Sequence, residues 1–205
     1  MNIVFEGADG CGKDAVANAV ALKLAEGCQV RRMNFPDDNE PVTGPMIRAY
    51  LRREWSVTGP WGDHGGTALQ ALMTANRLAR LDHLKDREYM RSAHNVICRY
   101  WQSAWVYGQL DGLDGPWLEA IHQFMPRATH FLLTASAETC MARRAARDGS
   151  LPPERYEGKL AMTQRVVALY EDLWYNRPNK DGWWVIDAEK PLGQVVEDVL
   201  GVIHV

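Results

Sequence analysis

Gly7, four residues, then Gly12-Lys13: this spacing near the N-terminus restricts the folds open to the chain more than any other feature. Ahead of it, Ile3, Val4 and Phe5 form a short apolar run of the kind found in buried parallel strands. Behind it, Ala15 to Ala25, rich in Ala, Val and Leu, predicts a helix. Strand, glycine loop and helix in that order gather backbone N–H groups around an anion and aim a helix N-terminus at it. A tight turn that happens to hold two glycines and a lysine is the plainer alternative. The strand before and the helix after favour phosphate binding. Gly7, Ala8, Asp9, Gly10, Cys11, Gly12, Lys13, Asp14 and Ala15 are therefore the candidate phosphate-binding residues, with Lys13 bringing a point charge to the outer phosphates. One position departs from the pattern. The hydroxyl that usually follows the lysine and touches magnesium is replaced by Asp14.

A chain of 205 residues forms one domain, here with a mobile lid, and can bury roughly 70% of its unfolded surface. The net charge of −3 supplies no overall basic field for nucleic acid or an anionic membrane. Cys11, Cys28, Cys98 and Cys140 are scattered without the paired spacing of a zinc site, as expected of reduced thiols in a cytoplasmic protein. The N-terminus lacks a basic and apolar leader pattern, and no segment approaches 18 apolar residues, so no membrane association is expected.

Strand and helix alternate along the chain. Further strands are expected at 28–35, 95–98, 129–134 and 183–186. Helices are expected at 45–53, 67–89, 101–110, 116–124, from a Ser136 cap to about 147, 154–174 and 191–200. The segment 56–66 reads as a loop, with four glycines and a proline. Five strands with intervening helices imply an α/β fold with a doubly wound, five-stranded parallel sheet, whose ligands sit at the strand C-terminal ends. Arg99, directly after the third strand of that sheet, is a candidate site residue on position alone.

Several motifs follow one another as in thymidylate kinases. They are Phe5-Glu6-Gly7-x-Asp9-Gly10-x-Gly12-Lys13, Phe35-Pro36, Thr43-Gly44-x-x-Ile47-Arg48-x-Tyr50-Leu51, Ala75-Asn76-Arg77 and Arg99-Tyr100-x-x-Ser103-x-x-x-Tyr107. Arg143-x-x-x-Arg147 and Glu154-Arg155-Tyr156-Glu157 resemble that family's lid, placed at about 147–157. The ordered similarity spans residues 2 to 190 and implies a P-loop kinase that transfers the γ-phosphate of ATP, with Mg²⁺, to dTMP or a close pyrimidine deoxynucleotide. Such transfer needs two anionic ends held in line and the charge on the moving group neutralised. The resemblance nominates Arg48 and Arg99 for the acceptor phosphate, which suits the bidentate guanidinium. It nominates Arg143, Arg147 and Arg155 as lid cations, with Lys13, for the transferring group. By the same resemblance Arg77 reads the base edge, Tyr107 crowds the 2′ position and Asp9 accepts from the sugar 3′-hydroxyl. Phe35, Asn76 and Ser103 complete the substrate-binding set. Arg48 also fits an exposed helix arginine, and Tyr107 a core aromatic.

Two positions depart from the family. The aromatic that stacks on the base is Met73 here, one helical turn before Arg77, which implies a wider or differently shaped pocket. The strand-end carboxylate that helps hold magnesium is Cys98, a poor ligand for a hard cation. The expectation is that the carboxylate has moved to Asp14, with Glu6 or Glu154 as further contributors. Two alternatives stand beside the dTMP reading: a kinase for a modified pyrimidine such as 5-hydroxymethyl-deoxyuridine, as monophosphate or within DNA, and a nucleotide-binding module without turnover. Acidity counts against a long DNA footprint. The resemblance also implies a homodimer.

Overall fold

The computed structural model describes residues 1–54, 58–59, 62–149, 153–176 and 182–203. In chain order the elements are β1 (Asn2–Glu6), α1 (Lys13–Leu24), β2 (Gln29–Asn34), α2 (Thr43–Leu51), β3 (Thr58–Gly59), β4 (Gly62–Asp63), α3 (Gly65–Leu78) and α4 (Leu81–Lys85). They continue with a 3₁₀ turn at Tyr89–Arg91, β5 (Ala93–Cys98), α5 (Trp101–Leu110), α6 (Gly115–Ala120), β6 (Thr129–Thr134), α7 (Ala137–Asp148), α8 (Leu160–Asn176), β7 (Trp183–Asp187) and α9 (Leu192–Ile203).

β2, β5, β1, β6 and β7 lie side by side in that order as a parallel sheet, as the alternating pattern implies. The order reverses at β1, so the crevice beyond its C-terminal end is the place for a ligand, and the glycine loop opens there. Both faces of the central strand are covered. Ile3 and Phe5 enter one apolar cluster with residues of α1, α8 and α9, whereas Val4 enters a second with Met33, Phe35, Leu84, Ile97 and Tyr100. This explains the unbroken apolar run. Among the described residues no helix is long and apolar enough to cross a membrane.

Three expectations are corrected. The single helix over 67–89 is divided into α3 and α4, with the break at Ala79–Arg80. Distant side chains anchor the C-terminal end of α4, where Asn2 Nδ2 donates to Leu84 O at 3.0 Å and Asn95 Nδ2 to His83 O at 3.0 Å, and at the break itself Arg80 Nε meets Asp37 Oδ2 at 2.5 Å. The break lets Leu84 drop onto the sheet, where it is fully buried. The helix expected from 154 begins only at Leu160. Residues 154–159 are held against the body instead: Arg155 N donates to Leu51 O at 2.8 Å and Tyr156 Oη to Asp111 Oδ2 at 2.5 Å. Gly158, at φ 91°, then turns the chain into α8. The 56–66 loop contains the short antiparallel β3–β4 ladder, with residues 56, 57, 60 and 61 outside the described residues, as are 150–152 of the expected lid at about 147–157.

Two helix starts use different chemistry. Ser136 Oγ accepts from Thr139 N at 3.1 Å, the cap expected from sequence. α2 has Val42 at its cap, and the Glu40 carboxylate does the work by accepting from Val42 N at 3.1 Å and from Thr43 N and Oγ1, each at 2.5 Å. Leu84→Ala tests the α3–α4 break. Loss of this buried side chain should cost about 2–5 kcal/mol in urea unfolding, because only α4's detour from a straight helix brings it to the core. A loss below about 1 kcal/mol would mean that α4 is not anchored as described.

Candidate active site

The glycine loop is shaped by close approach. Gly10 has φ 87°, and a Cβ there would stand 2.1 Å from Cys140 O, so β-carbon-bearing residues are excluded. Gly7 and Gly12 also take positive φ, 143° and 100°. Arg143 on α7 braces the loop from outside, with Nη1 donating to Cys11 O at 3.2 Å and to Ala188 O at 2.9 Å. An open cleft of about 880 Å³, counting the space at its mouth, is lined by Gly10 to Val16, Arg143, Arg147, Ala188, Lys190, Leu192 and Val195. On the other side of the loop a smaller recess of about 290 Å³ is lined by Ala8, Asp9, Tyr107, Arg144, Tyr156 and Glu157, among others.

Asp9 stands between them and gathers the cations. Its Oδ1 lies 3.5 Å from Lys13 Nζ and 3.4 Å from Arg99 Nη2, and its Oδ2 accepts from Arg147 Nη2 at 3.1 Å. Burial works against ionisation of Asp9, but Lys13, Arg99 and Arg147 outweigh it and hold the carboxyl well below its usual range. Lys13 is almost fully buried, in the first turn of α1. Arg99 carries a left-handed backbone, φ 63°, between β5 and α5. Its Nη1 donates to Ser103 Oγ at 3.3 Å and Tyr107 Oη at 3.4 Å.

Sequence reasoning had no means of weighting Glu6 as the residue that fixes Arg99. Glu6 is buried and accepts from Tyr100 N at 2.6 Å, Ser103 N at 3.1 Å, Ser103 Oγ at 2.6 Å and Tyr170 Oη at 2.9 Å. It caps α5 and is committed there. Ser103, almost wholly buried, belongs to this support.

The other candidates have partners of their own. Arg48 is gripped bidentately by Asp38 (2.6 and 2.8 Å) and lies 3.4 Å from Glu154 Oε1. Arg155 stands 4.8 Å above the Tyr50 ring with Asp111 at 3.6 Å, among the anchors of the 154–159 segment rather than beside Asp9. Tyr107 faces Tyr156 across 5.0 Å, and Tyr156 with Glu157, which holds Arg144 at 2.8 Å, joins the recess, whereas the sequence placed both only in the lid motif. Asn76 is buried and spent on the fold: it binds both Asp37 O and Asp37 N, and Thr43 Oγ1. Phe35 is buried beneath the Arg77 guanidinium at 5.9 Å. Arg77 is itself buried, with Nη2 donating to Tyr100 O at 2.9 Å and Nη1 lying 3.3 Å from His122 Nε2. Burial lowers the Arg77 guanidinium to about 10, and burial with Arg77 alongside pushes His122 down to about 3, so the imidazole is neutral. Met73 packs half-buried against the Ile47, Tyr50, Leu51 and Leu69 cluster.

The residues implied for magnesium do not assemble a ligand set. Glu6 is the α5 cap, Glu154 faces Arg48, and Cys98 is a buried thiol pushed up to about 12 by its burial. Asp14, the expected relocated carboxylate, lies 3.6 Å from the Arg32 guanidinium. Among the described residues no three His, Cys, Asp or Glu side chains group as metal ligands.

A pH prediction follows from Asp9. Its folded-state value is depressed below the ordinary 3.8, so its stabilisation is present above that pH and is lost as the pH falls below it. Urea unfolding should show Asp9→Asn less stable than wild type at pH 7, with the gap closing as the pH falls from about 4 towards 2. A gap that stays constant over that range would remove the three-cation assignment.

Comparison with known proteins bears on the family and the fold. The thymidylate kinase family model matches residues 5–199. A probable thymidylate kinase of Pyrobaculum calidifontis is 31% identical over all of this chain and 96% of its own length. A thymidylate kinase of Dictyostelium discoideum is 24% identical over 98% of this chain and 83% of its own. The fold matches that of the Candida albicans thymidylate kinase structure, with TM-score 0.74 and 22% identity over 99% of this chain and 90% of that one. A five-stranded sheet with its glycine loop at the order switch, and a family match across almost the whole chain, lead to one conclusion: the chain belongs to the thymidylate kinase family and is an ATP-dependent nucleoside monophosphate kinase.

Proposed function

We propose that this enzyme transfers the γ-phosphoryl group of ATP to dTMP or a close pyrimidine deoxynucleotide analogue. The observation that carries the reading is the convergence of Lys13, Arg99 and Arg147 on Asp9, between a cleft and a recess that share the glycine loop. Cations from three separate elements at one point are what a transferring phosphoryl group needs on its equatorial oxygens. In this reading the donor phosphates lie in the glycine loop against the α1 N-terminus and Lys13. Arg99, oriented by Ser103 and Tyr107, takes the acceptor phosphate together with Arg48. Arg147, at the end of α7, closes with the lid of about 147–157. Arg143 braces the loop, and Arg155 anchors the lid through Asp111. Asp9 accepts from the acceptor sugar once phosphate takes over its cations. Magnesium, when bound with ATP, neutralises phosphate charge. The acceptor is a free nucleotide rather than a DNA base, in keeping with the net charge of −3, and the working unit is a homodimer.

A second reading, a modified pyrimidine monophosphate as acceptor, is favoured by Met73. Its flexible thioether lines its cluster beside Tyr156 where the family resemblance puts a flat aromatic.

A coupled ADP-release assay over a panel of deoxynucleoside monophosphates, with hydroxymethyl-dUMP and an oligonucleotide, separates these readings. Turnover with dTMP is expected, and none with the oligonucleotide. Arg147→Ala should lower kcat on the order of 10²–10³-fold with KM nearly unchanged, whereas Arg155→Ala should act mainly through lid stability and cost less. Equal effects of the two on kcat would remove Arg147 from the transferring group. For selectivity, Arg77→Ala should raise KM for dTMP more than it lowers kcat, since a base contact is mostly uniform binding. Met73→Phe should narrow the acceptor range towards dTMP. A wild type already restricted to dTMP, and indifferent to that change, would contradict the widened pocket.

A further inference from the structure

The corner of the phosphate loop that usually faces the metal is occupied by a guanidinium. Arg32 projects from β2, the edge strand, alongside the end of β5. Its Nη2 donates to Cys98 Sγ at 2.9 Å and lies 3.6 Å from Asp14 Oδ1. Its Nε donates to Asn18 Oδ1 at 3.0 Å, and its Nη1 to Val96 O at 3.4 Å and to Met33 O. Four acceptors here take hydrogen bonds from the five N–H groups of the guanidinium, and the Asp14 carboxylate stands beside the fifth as an ion-pair partner. Cys98 Sγ in turn donates to Lys13 O at 3.5 Å, which binds the corner to the loop's own lysine. Asp14 and Asn18 are one turn apart on α1, so one face of that helix presents both acceptors.

The two groups through which a phosphate loop ordinarily meets its metal are the hydroxyl after the lysine and the strand-end carboxylate. Asp14 and Cys98 stand in their places, and both are turned to this one cation. A thiol does not suit a hard, oxygen-seeking ion, and the charge of a carboxylate beside a guanidinium is already opposed. We infer that Arg32 is the fixed cation of this corner, with Asp14 its counter-ion rather than a metal ligand, so that a divalent ion is held here by nucleotide phosphates and water alone. Magnesium tolerates this, because it keeps several waters and takes few protein ligands at phosphate sites. The pair is partly exposed, with side-chain exposures of 23% and 55%, so its main effect is on where charge stands and little on stability. The inference rests on the reading that the glycine loop takes the donor nucleotide.

Manganese, which is paramagnetic and replaces magnesium, gives the test. The full chain with saturating ADP is titrated with Mn²⁺ while the free-ion electron paramagnetic resonance signal is followed, against an ADP-only titration. Binding of ADP without metal is measured separately by calorimetry. Asp14→Asn should leave the Mn²⁺ affinity of the ADP complex within about twofold of wild type, because no ligand is lost. Arg32→Met releases the carboxylate and should tighten Mn²⁺ binding by on the order of tenfold, and Arg32→Met/Asp14→Asn should return it to the wild-type value. If Arg32→Met does not fold, as judged by circular dichroism, the exposed Asp14→Asn variant decides alone. Mn²⁺ affinity that falls tenfold or more in Asp14→Asn, with ADP still bound, overturns the inference and leaves the donor reading intact. A wild type that binds no ADP overturns the donor reading, and the inference with it.

Discussion

Glu6 ends β1 and immediately precedes the glycine loop, and its buried carboxylate receives four donors, two backbone and two hydroxyl. A buried charge survives only when its lone pairs are occupied in this way. The donors come from the start of α5 and from Tyr170 on α8, so one side chain joins the central strand to two helices. The same contacts fix the residue between β5 and α5, Arg99, whose left-handed backbone would otherwise be unfavourable for a side chain of its size. Arg99 N continues the sheet by donating to Phe5 O at 2.9 Å. The phosphate loop and its facing arginine are therefore set by opposite ends of a single anchored junction.

Around that junction the cations have carboxylate partners from the same chain. Lys13, Arg99 and Arg147 meet Asp9, Arg48 meets Asp38, Arg155 meets Asp111 and Arg32 meets Asp14. This is how a chain of net charge −3 carries a phosphate site: the positive charge is local and compensated at close range. The partners also hold the long side chains in place before a ligand arrives, which lowers the ordering cost of binding. Asp111 serves twice, taking Arg155 and the Tyr156 hydroxyl, and so ties the 154–159 segment to the end of α5.

What could be read from sequence was what depends on neighbours in sequence. Gly7, Gly12 and Lys13 declare their loop by spacing, Ile3 to Phe5 declare a buried strand, and Arg99 follows a strand end. Ser136 announces its own helix cap. The division of α3 from α4 was not legible, because the groups that hold the end of α4 in place, Asn2 and Asn95, lie far away in the chain and read there as polar residues in or beside strands. The non-helical stretch at 154–159 was hidden for the same reason, since its partners are Leu51 and Asp111. Asn76 sits in a family motif, yet the structure spends it on the loop at Asp37. Arg32 gave no signal at all: an arginine in a polar edge strand reads as solvated, and only the register of β2 on β5 brings it beside Cys98.

Asp9 has one more consequence. It fills the place of an anion among Lys13, Arg99 and Arg147, so under the proposed reading an entering phosphate would compete with a carboxylate for the same cations. The carboxylate already lowers the net charge of the cluster, which would make occupancy of the site less sensitive to ionic strength than that of three bare cations. It also works in reverse. In that reading, as a phosphate group departed, the tethered carboxylate would recapture the cations at high effective concentration and so favour product release.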